Sequence, residues 1–310
     1  MTPASAHEKV FVLGDDRAYG RWREAKLARY PVSLDQITVD IARPEAPSES
    51  ETAAVTAAVA SANMCRYRCR GVTEDIQEAR RAVAAFARHF GLREFEEHRS
   101  AESDGIVALE RTDAPDKRGY IPYSNRAIGW HTDGYYNYNG PGRAIRSMLL
   151  HCARAAASGG ANGLLDHEIA YIRLRDASPA LVAALMHPEC LTIPENREED
   201  GGLRPANTGP VFAVDGNGSL LMRYTARPKY AVWRKDAETA SAVEALTGLL
   251  SEDEAAMRVR LLPGEGLICN NVLHDRGAFE DGTGDRRRLY FRIRSYDTVG
   301  PDRSARSNQT

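Results

Sequence analysis

The chain has 310 residues, 43% of them hydrophobic, and its acidic and basic side chains nearly cancel to a formal charge of −2. That length can bury a substantial core, and the near-neutral balance excludes the basic footprint of a nucleic-acid binder. No apolar run is long enough to span a membrane, the N-terminus lacks the apolar core of a signal peptide, and five cysteines do not suit a disulfide framework, so a reduced, cytoplasmic setting is expected.

Residues 44–52, rich in Pro, Ser and Glu, read as a loop leading into an Ala-rich helix that runs to about Ala62. Cys65 and Cys69 lack a second Cys/His pair, which argues against a zinc site. Ile76, Ala79, Val83, Phe86 and Phe90 recur at helical spacing and Gly91 follows as a stop, predicting an amphipathic helix over 73–90. From Ile121 onward the texture changes to short strand-like runs at 147–153, 211–214, 220–224, 257–262, 266–270 and 288–296. Asp215-Gly216-Asn217-Gly218 marks a hairpin between two of them. Two helices interrupt the strands, one starting at Ser178-Pro179 and one near Asp236. Many short strands with few helices predict a mainly β fold, a jelly-roll or cupin-like sandwich. Residues 1–64 are expected to form an N-terminal segment packed on a main domain of residues 65–310.

The chemistry concentrates in two places. His131-Thr132-Asp133 offers two ligands from one strand face, because residues two apart on a strand point to the same side. His274 can supply a third ligand, and two histidines with one carboxylate form the facial set of non-haem Fe(II) oxygenases. His187-Pro188-Glu189 has competing spacing but reads as a surface loop, and His151 reads as a core residue. On the last strand Arg288, Tyr290, Arg292 and Arg294 alternate with Leu289, Phe291 and Ile293. A solvated arginine face is the usual meaning of such a pattern. Beside a metal triad it gains a second reading, in which Arg288 and Arg292 line a barrel mouth and hold carboxylates in two-point contact.

Trp130-His131-Thr132-Asp133, the stretch from Gly159-Gly160 to Leu165-Asp166, His274-Asp275-Arg276-Gly277-Ala278-Phe279 and Arg287-Arg288-Leu289-Tyr290-Phe291-Arg292 together resemble the TauD/TfdA family of Fe(II)- and 2-oxoglutarate-dependent dioxygenases, near its γ-butyrobetaine hydroxylase-like branch. The resemblance implies a double-stranded β-helix, iron on His131, Asp133 and His274, and Arg288 on the distal carboxylate of 2-oxoglutarate. Many members carry a hydroxyl residue after the Gly-Gly; here Asn162 stands near that place and can donate from its amide. The gap from His274 to Arg288 is longer than in the taurine branch, and Arg287 takes the role if the strand register slips by one. The implied reaction consumes dioxygen and 2-oxoglutarate, releases succinate and carbon dioxide, and hydroxylates or cleaves a small polar metabolite. Homo-oligomers also fit the resemblance.

Trp130, Tyr135, Tyr136 and Tyr138 crowd the motif, with Tyr123 upstream. Such rings attract quaternary ammonium groups, so a small zwitterion is expected, its cation among the tyrosines and its anion toward Arg292; strand alternation puts Tyr135 on the side of His131 and Asp133 if the strand continues that far. Packing of the rings is the plainer reading for any one of them. Two alternatives stand beside the oxygenase: a cupin-type metalloenzyme that needs no 2-oxoglutarate, and a catalytically silent β-sandwich that binds a ligand or partner.

Overall fold

The computed structural model describes residues 10–70, 75–96, 104–112, 121–197, 202–251, 256–283 and 287–300. The expected first residues of the 73–90 helix, 73 and 74, lie outside them, as does Arg286. In chain order the elements that position the site are α1 (Asp16–Arg29), β1 (Thr38–Ile41), α2 (Glu49–Ala62), β2 (Met64–Cys69), α3 (Ile76–His89), β3 (Val107–Glu110), β4 (Ile128–His131) and β5 (Ser147–Arg154). They continue with β6 (Asn162–Leu165), α4 (His167–Ala177), α5 (Pro179–Leu185), the hairpin β7 (Phe212–Val214) and β8 (Leu220–Met222), and α6 (Ala237–Ser251). The last four are β9 (Met257–Val259), β10 (Glu265–Cys269), β11 (Leu273–Arg276) and β12 (Leu289–Ser295).

Two sheets form the sandwich. The larger runs β1-β2-β10-β5-β12-β3, and the smaller β9-β6-β11-β4. All pairs are antiparallel except β1 with β2. The residues before position 64 therefore supply an edge strand of the larger sheet through β1. They are also tied down by Lys26 of α1, a fully buried ammonium held at 2.6 Å by both Asp166 and Glu168 at the start of α4.

The period-two pattern decides which face each strand shows. On β12, Leu289, Phe291 and Ile293 belong to the core beneath the helices, with Val83, Phe86 and Phe90 of the α3 segment. Each such fully buried side chain contributes about 1.5–3 kcal/mol. The helix starts where Asp75 accepts the Gln77 and Glu78 N–H groups and stops before Gly91, at φ 84°. His151 on β5 faces the same layer. It is buried, accepts or donates at 3.1 Å to the Tyr67 hydroxyl, and stacks on Phe291. With those apolar positions committed outward, the arginines of β12 must point between the sheets.

A second core lies around α4, α5, α6 and the β7–β8 hairpin. The hairpin turns where expected, with Asp215 accepting the Asn217 and Ser219 N–H groups and pairing at 2.6 Å with Arg146. Among the described residues, no helix is long and apolar enough to cross a membrane.

Candidate metal and cosubstrate site

β4 and β11 lie side by side with His131 directly opposite His274. Their rings sit 4.2 Å apart between centroids. Ligand atoms of His131, Asp133 and His274 all fall within 4.8 Å of one another. His131 Nδ1 donates to the Gly129 carbonyl at 3.0 Å, and His274 Nδ1 to that of Val272 at 2.9 Å. Each contact places the proton on Nδ1 and leaves Nε2 with its lone pair free to bind a metal. Burial, then the neighbouring His274 ring, pushes His131 down to about 3, so it stands neutral as a ligand must.

Asp133 does not sit on a continuing strand. β4 ends at His131, and residues 133–136 turn away. Gly134 makes that turn at φ 71°, and a Cβ there would meet Ile145 Cγ1 at 2.4 Å. The strand alternation expected to aim Tyr135 therefore does not apply, although the fold still brings its ring centroid to 6.4 Å from that of His131. Thr132 faces away and locks the strand end, accepting from the Tyr224 N–H at 3.1 Å and donating its own N–H to the Tyr224 carbonyl at 3.0 Å.

Asn271 holds the Asp133 backbone on both sides. It accepts the Asp133 N–H at 2.8 Å and donates to the Asp133 and Ile145 carbonyls at 3.0 and 2.9 Å. Its own φ of 47° is rare for a residue other than glycine. In the side chain, Oδ1 of Asp133 lies 3.4 Å from Arg292 and 3.5 Å from Arg294. Oδ2 is buried with no partner. Burial opposes ionisation, but Arg292, Arg294 and the two histidines outweigh it and hold the carboxyl well below the usual range. An ionised, orphaned oxygen beside two free imidazole nitrogens is the donor set of a divalent metal, and three positions remain open on its far side.

The second group of polar residues lies further along the barrel. Leu164 of β6 pairs with His274, and the Gly277 N–H donates to the Ala161 carbonyl at 2.8 Å, an alignment that brings the Asn162 and Arg276 positions opposite each other. Asn162 is buried and its Nδ2 has no partner. Arg276 and Arg288 both lie 5.0 Å from the Phe279 ring, and Arg288 lies 3.7 Å from that of Tyr290. Arg288 is buried at 2% exposure while its neighbour Arg287 is exposed, so the strand register turns Arg288 inward. Burial lowers both inward guanidinium groups, Arg276 to about 9. Cations buried among rings with an unpartnered amide nearby fit the tail carboxylate of a dicarboxylate.

Arg292 contacts Asp133 Oδ1 at 3.4 Å. His187-Pro188-Glu189 lies in a turn after α5 and, among the described residues, joins no group of potential metal ligands. Sequence reasoning missed Asn271 and Glu96, and named Tyr136 only as one of the rings around the motif. Arg294 was visible as part of the alternating arginine row. Glu96 lies far from the motifs in sequence, and nothing local marks it.

The description "Taurine catabolism dioxygenase TauD, TfdA family" matches residues 27–293. A uridine-5'-phosphate dioxygenase from Amycolatopsis is 32% identical over 166 residues, covering 52% of this chain and 58% of that protein. A second, from Streptomyces, is 28% identical over 230 residues, covering 72% and 81%. A trimethyllysine dioxygenase from Meyerozyma guilliermondii is 27% identical over 175 residues, covering 53% and 41%. The match to the first of these thus spans little more than half its length. Among solved structures, a taurine dioxygenase from Burkholderia xenovorans superposes with a TM-score of 0.56 at 18% identity, covering 87% of this chain and 90% of that one. The chain belongs to the TauD/TfdA family, the 2-oxoglutarate-dependent dioxygenases that use iron.

Proposed function

We propose that this enzyme hydroxylates a small metabolite carrying an anionic group, and that Arg292 receives that anion. The observation that carries the substrate class is the charge balance of the buried site. Of four buried arginines, Arg292 and Arg294 lie beside Asp133, Arg294 pairs with Glu96, and Arg288 lies near Asp281, while Arg276 donates to the backbone carbonyls of Pro122, Ser124 and Arg126; four cations against three carboxylates leave one positive charge in excess. Iron and dianionic 2-oxoglutarate offset each other, so the excess remains for the substrate. Burying an uncompensated charge is costly, and an anionic substrate relieves it. Arg292 is the natural docking point: it is buried, and its Nε has no partner.

The rings point the same way. Tyr136 lies 5.8 Å from Arg294 and 5.9 Å from Arg204, Tyr138 lies 5.5 Å from Arg223, and Trp130 lies 5.7 Å from Arg258. Those faces already serve guanidinium groups, which would repel a second cation. The uridine-5'-phosphate dioxygenases among the relatives support a phosphate ester. A zwitterion with a quaternary ammonium is the second reading, favoured by the trimethyllysine dioxygenase relative, and Tyr135 would be its ring.

Bound iron and 2-oxoglutarate supply the oxidising chemistry, with succinate and carbon dioxide as co-products. The protein's part is placement. His131, Asp133 and His274 would hold the metal from one side, Arg288 and Asn162 would fix the cosubstrate's tail, and Arg292 would set the substrate's carbon over the open positions. Buried walls keep water from competing.

The test is succinate release with a panel of nucleoside 5'-phosphates, simpler phosphate esters, carboxylates, sulfonates and trimethylammonium zwitterions. Anionic members should stimulate turnover. Arg292→Gln should then raise KM for the responsive compound at least tenfold and leave that for 2-oxoglutarate within about threefold, as expected when one charged contact of about 1.5–3 kcal/mol is lost. A response confined to quaternary amines overturns the anion reading and favours Tyr135.

A further inference from the structure

Arg294 lies one turn of the pleat beyond the arginine assigned to substrate, and its surroundings are of another kind. Its guanidinium pairs with Glu96, donates to the Tyr136 hydroxyl oxygen at 2.9 Å, and lies 3.5 Å from Asp133 Oδ1. All three charged groups are nearly inaccessible, with side-chain exposures of 4% for Arg294, 3% for Glu96 and 4% for Asp133. Glu96 is anchored in turn. Its backbone N–H donates to the Arg294 carbonyl at 3.0 Å, and its Oε1 accepts from Asn137 at 2.9 Å. Asn137 belongs to the turn that follows Asp133, its N–H bonded to the Gly134 carbonyl at 2.9 Å. The loop is closed: carboxylate, guanidinium, carboxylate, and the short turn that joins the last back to the first.

We infer that Arg294, held by Glu96, is a positioning residue that fixes the rotation of the Asp133 carboxylate, engaging Oδ1 so that Oδ2 alone is presented to the metal. The inference rests on the iron-site reading above. Its physical basis is the asymmetry of the two oxygens. Oδ1 has two guanidinium neighbours, whereas Oδ2 is buried and bare. A carboxylate free to rotate would offer both oxygens to a divalent ion and take up one of the open positions as well as its own. A guanidinium whose Nη2 is fixed on Glu96 and whose Nη1 stands 3.5 Å from Oδ1 holds that oxygen by its charge and disfavours that mode. Arg292 touches the same oxygen but, among the described residues, has no second carboxylate to anchor it, so it can turn to a substrate while Arg294 stays beside Asp133.

The experiment compares the wild-type chain with Arg294→Lys and Glu96→Gln, all prepared metal-free. Lysine keeps the charge and removes the fork, so it isolates geometry from electrostatics. Glu96→Gln keeps the shape and the contact to Asn137 but releases Arg294. Co(II) is titrated into each anaerobically, and both affinity and the visible ligand-field spectrum are recorded, with circular dichroism as the check on folding. The expected result is a 10- to 100-fold weaker Co(II) affinity in Arg294→Lys, of the order seen when outer partners of metal ligands are lost, a weaker loss in Glu96→Gln, and an altered ligand-field spectrum in both. Folded variants that bind Co(II) within twofold of wild type, with unchanged spectra, overturn the inference. If Arg294→Lys does not fold, Glu96→Gln decides by the same two readings. A wild-type chain that binds no Co(II) would instead overturn the metal-site reading itself, so the two failures are distinguishable.

Discussion

Replacing Arg288 with alanine should separate cosubstrate binding from stability. The guanidinium is buried at 2% exposure among the rings of Phe279 and Tyr290, and burial pulls it below its ordinary range. No carboxylate contacts it in ion-pair range among the described residues, although Asp281 accepts its backbone N–H at 2.9 Å. Losing the arginine removes a two-point contact to the dicarboxylate tail, a truncation that costs about 2–5 kcal/mol. At about 1.4 kcal/mol per tenfold, 2-oxoglutarate should bind roughly 30- to 3000-fold more weakly. The ligand-free fold gains and loses at once. The contact with Tyr290 at 3.7 Å is lost, about 0.5–2 kcal/mol, while the strain of an unpaired buried cation is relieved. Stability in urea should therefore move by no more than about 1 kcal/mol. The assay is anaerobic titration of the Fe(II) protein with 2-oxoglutarate, following the visible charge-transfer band, for Arg287→Ala and Arg288→Ala in parallel. Exposed Arg287 should behave as wild type. A strong loss in Arg287→Ala with none in Arg288→Ala would refute the register on which the assignment stands.

Much of this site could be read in the sequence because strands carry their geometry in their pattern. Leu289, Phe291 and Ile293 are apolar because they face the helices, and that alone forces Arg288, Arg292 and Arg294 inward. The same rule read 147–153 and 266–270 within a residue or two of β5 and β10. It failed at Tyr135, because the rule holds only while the strand lasts: β4 ends at His131 and the chain turns through Gly134. α1 was invisible for a different reason. Its one deeply buried polar anchor is Lys26, a residue type that sequence patterns assign to solvent, and its partner Asp166 lies 140 residues away. Glu96 belongs to the same class. Long-range ion pairs leave no local periodicity, so Arg294 read only as the end of an arginine row. Asn271 carried a faint local signal in Asn270-Asn271, since asparagine tolerates the left-handed conformation it adopts. Nothing in the sequence said which backbone it would hold.

His274→Ala should abolish metal-dependent turnover and weaken Co(II) binding by orders of magnitude, with circular dichroism unchanged; full metal content would sink the triad. Asn271→Ala should cost about 3–5 kcal/mol in urea unfolding, because it strands three buried backbone groups at Asp133 and Ile145 and strains an alanine at φ 47°. Asn271→Gly should recover roughly 1 kcal/mol of that by removing the strain alone, and equal losses in the two variants would refute the backbone part of the account. The last expectation concerns acid. Burial pushes the His151 ring down to about 4, whereas a histidine in the unfolded chain titrates near 6.5. Between those values the unfolded chain binds a proton that the native chain refuses, so stability rises with pH across this window. The contribution is complete above about pH 6.5 and is lost as pH falls toward 4, by up to about 3 kcal/mol. His151→Gln keeps a hydrogen-bonding partner for the Tyr67 hydroxyl and removes the titration. Urea unfolding of both proteins at steps from pH 7 to pH 4 should show a shallower pH slope in the variant. Parallel slopes would mean that His151 is protonated in the folded chain and that the layer beneath α3 admits water.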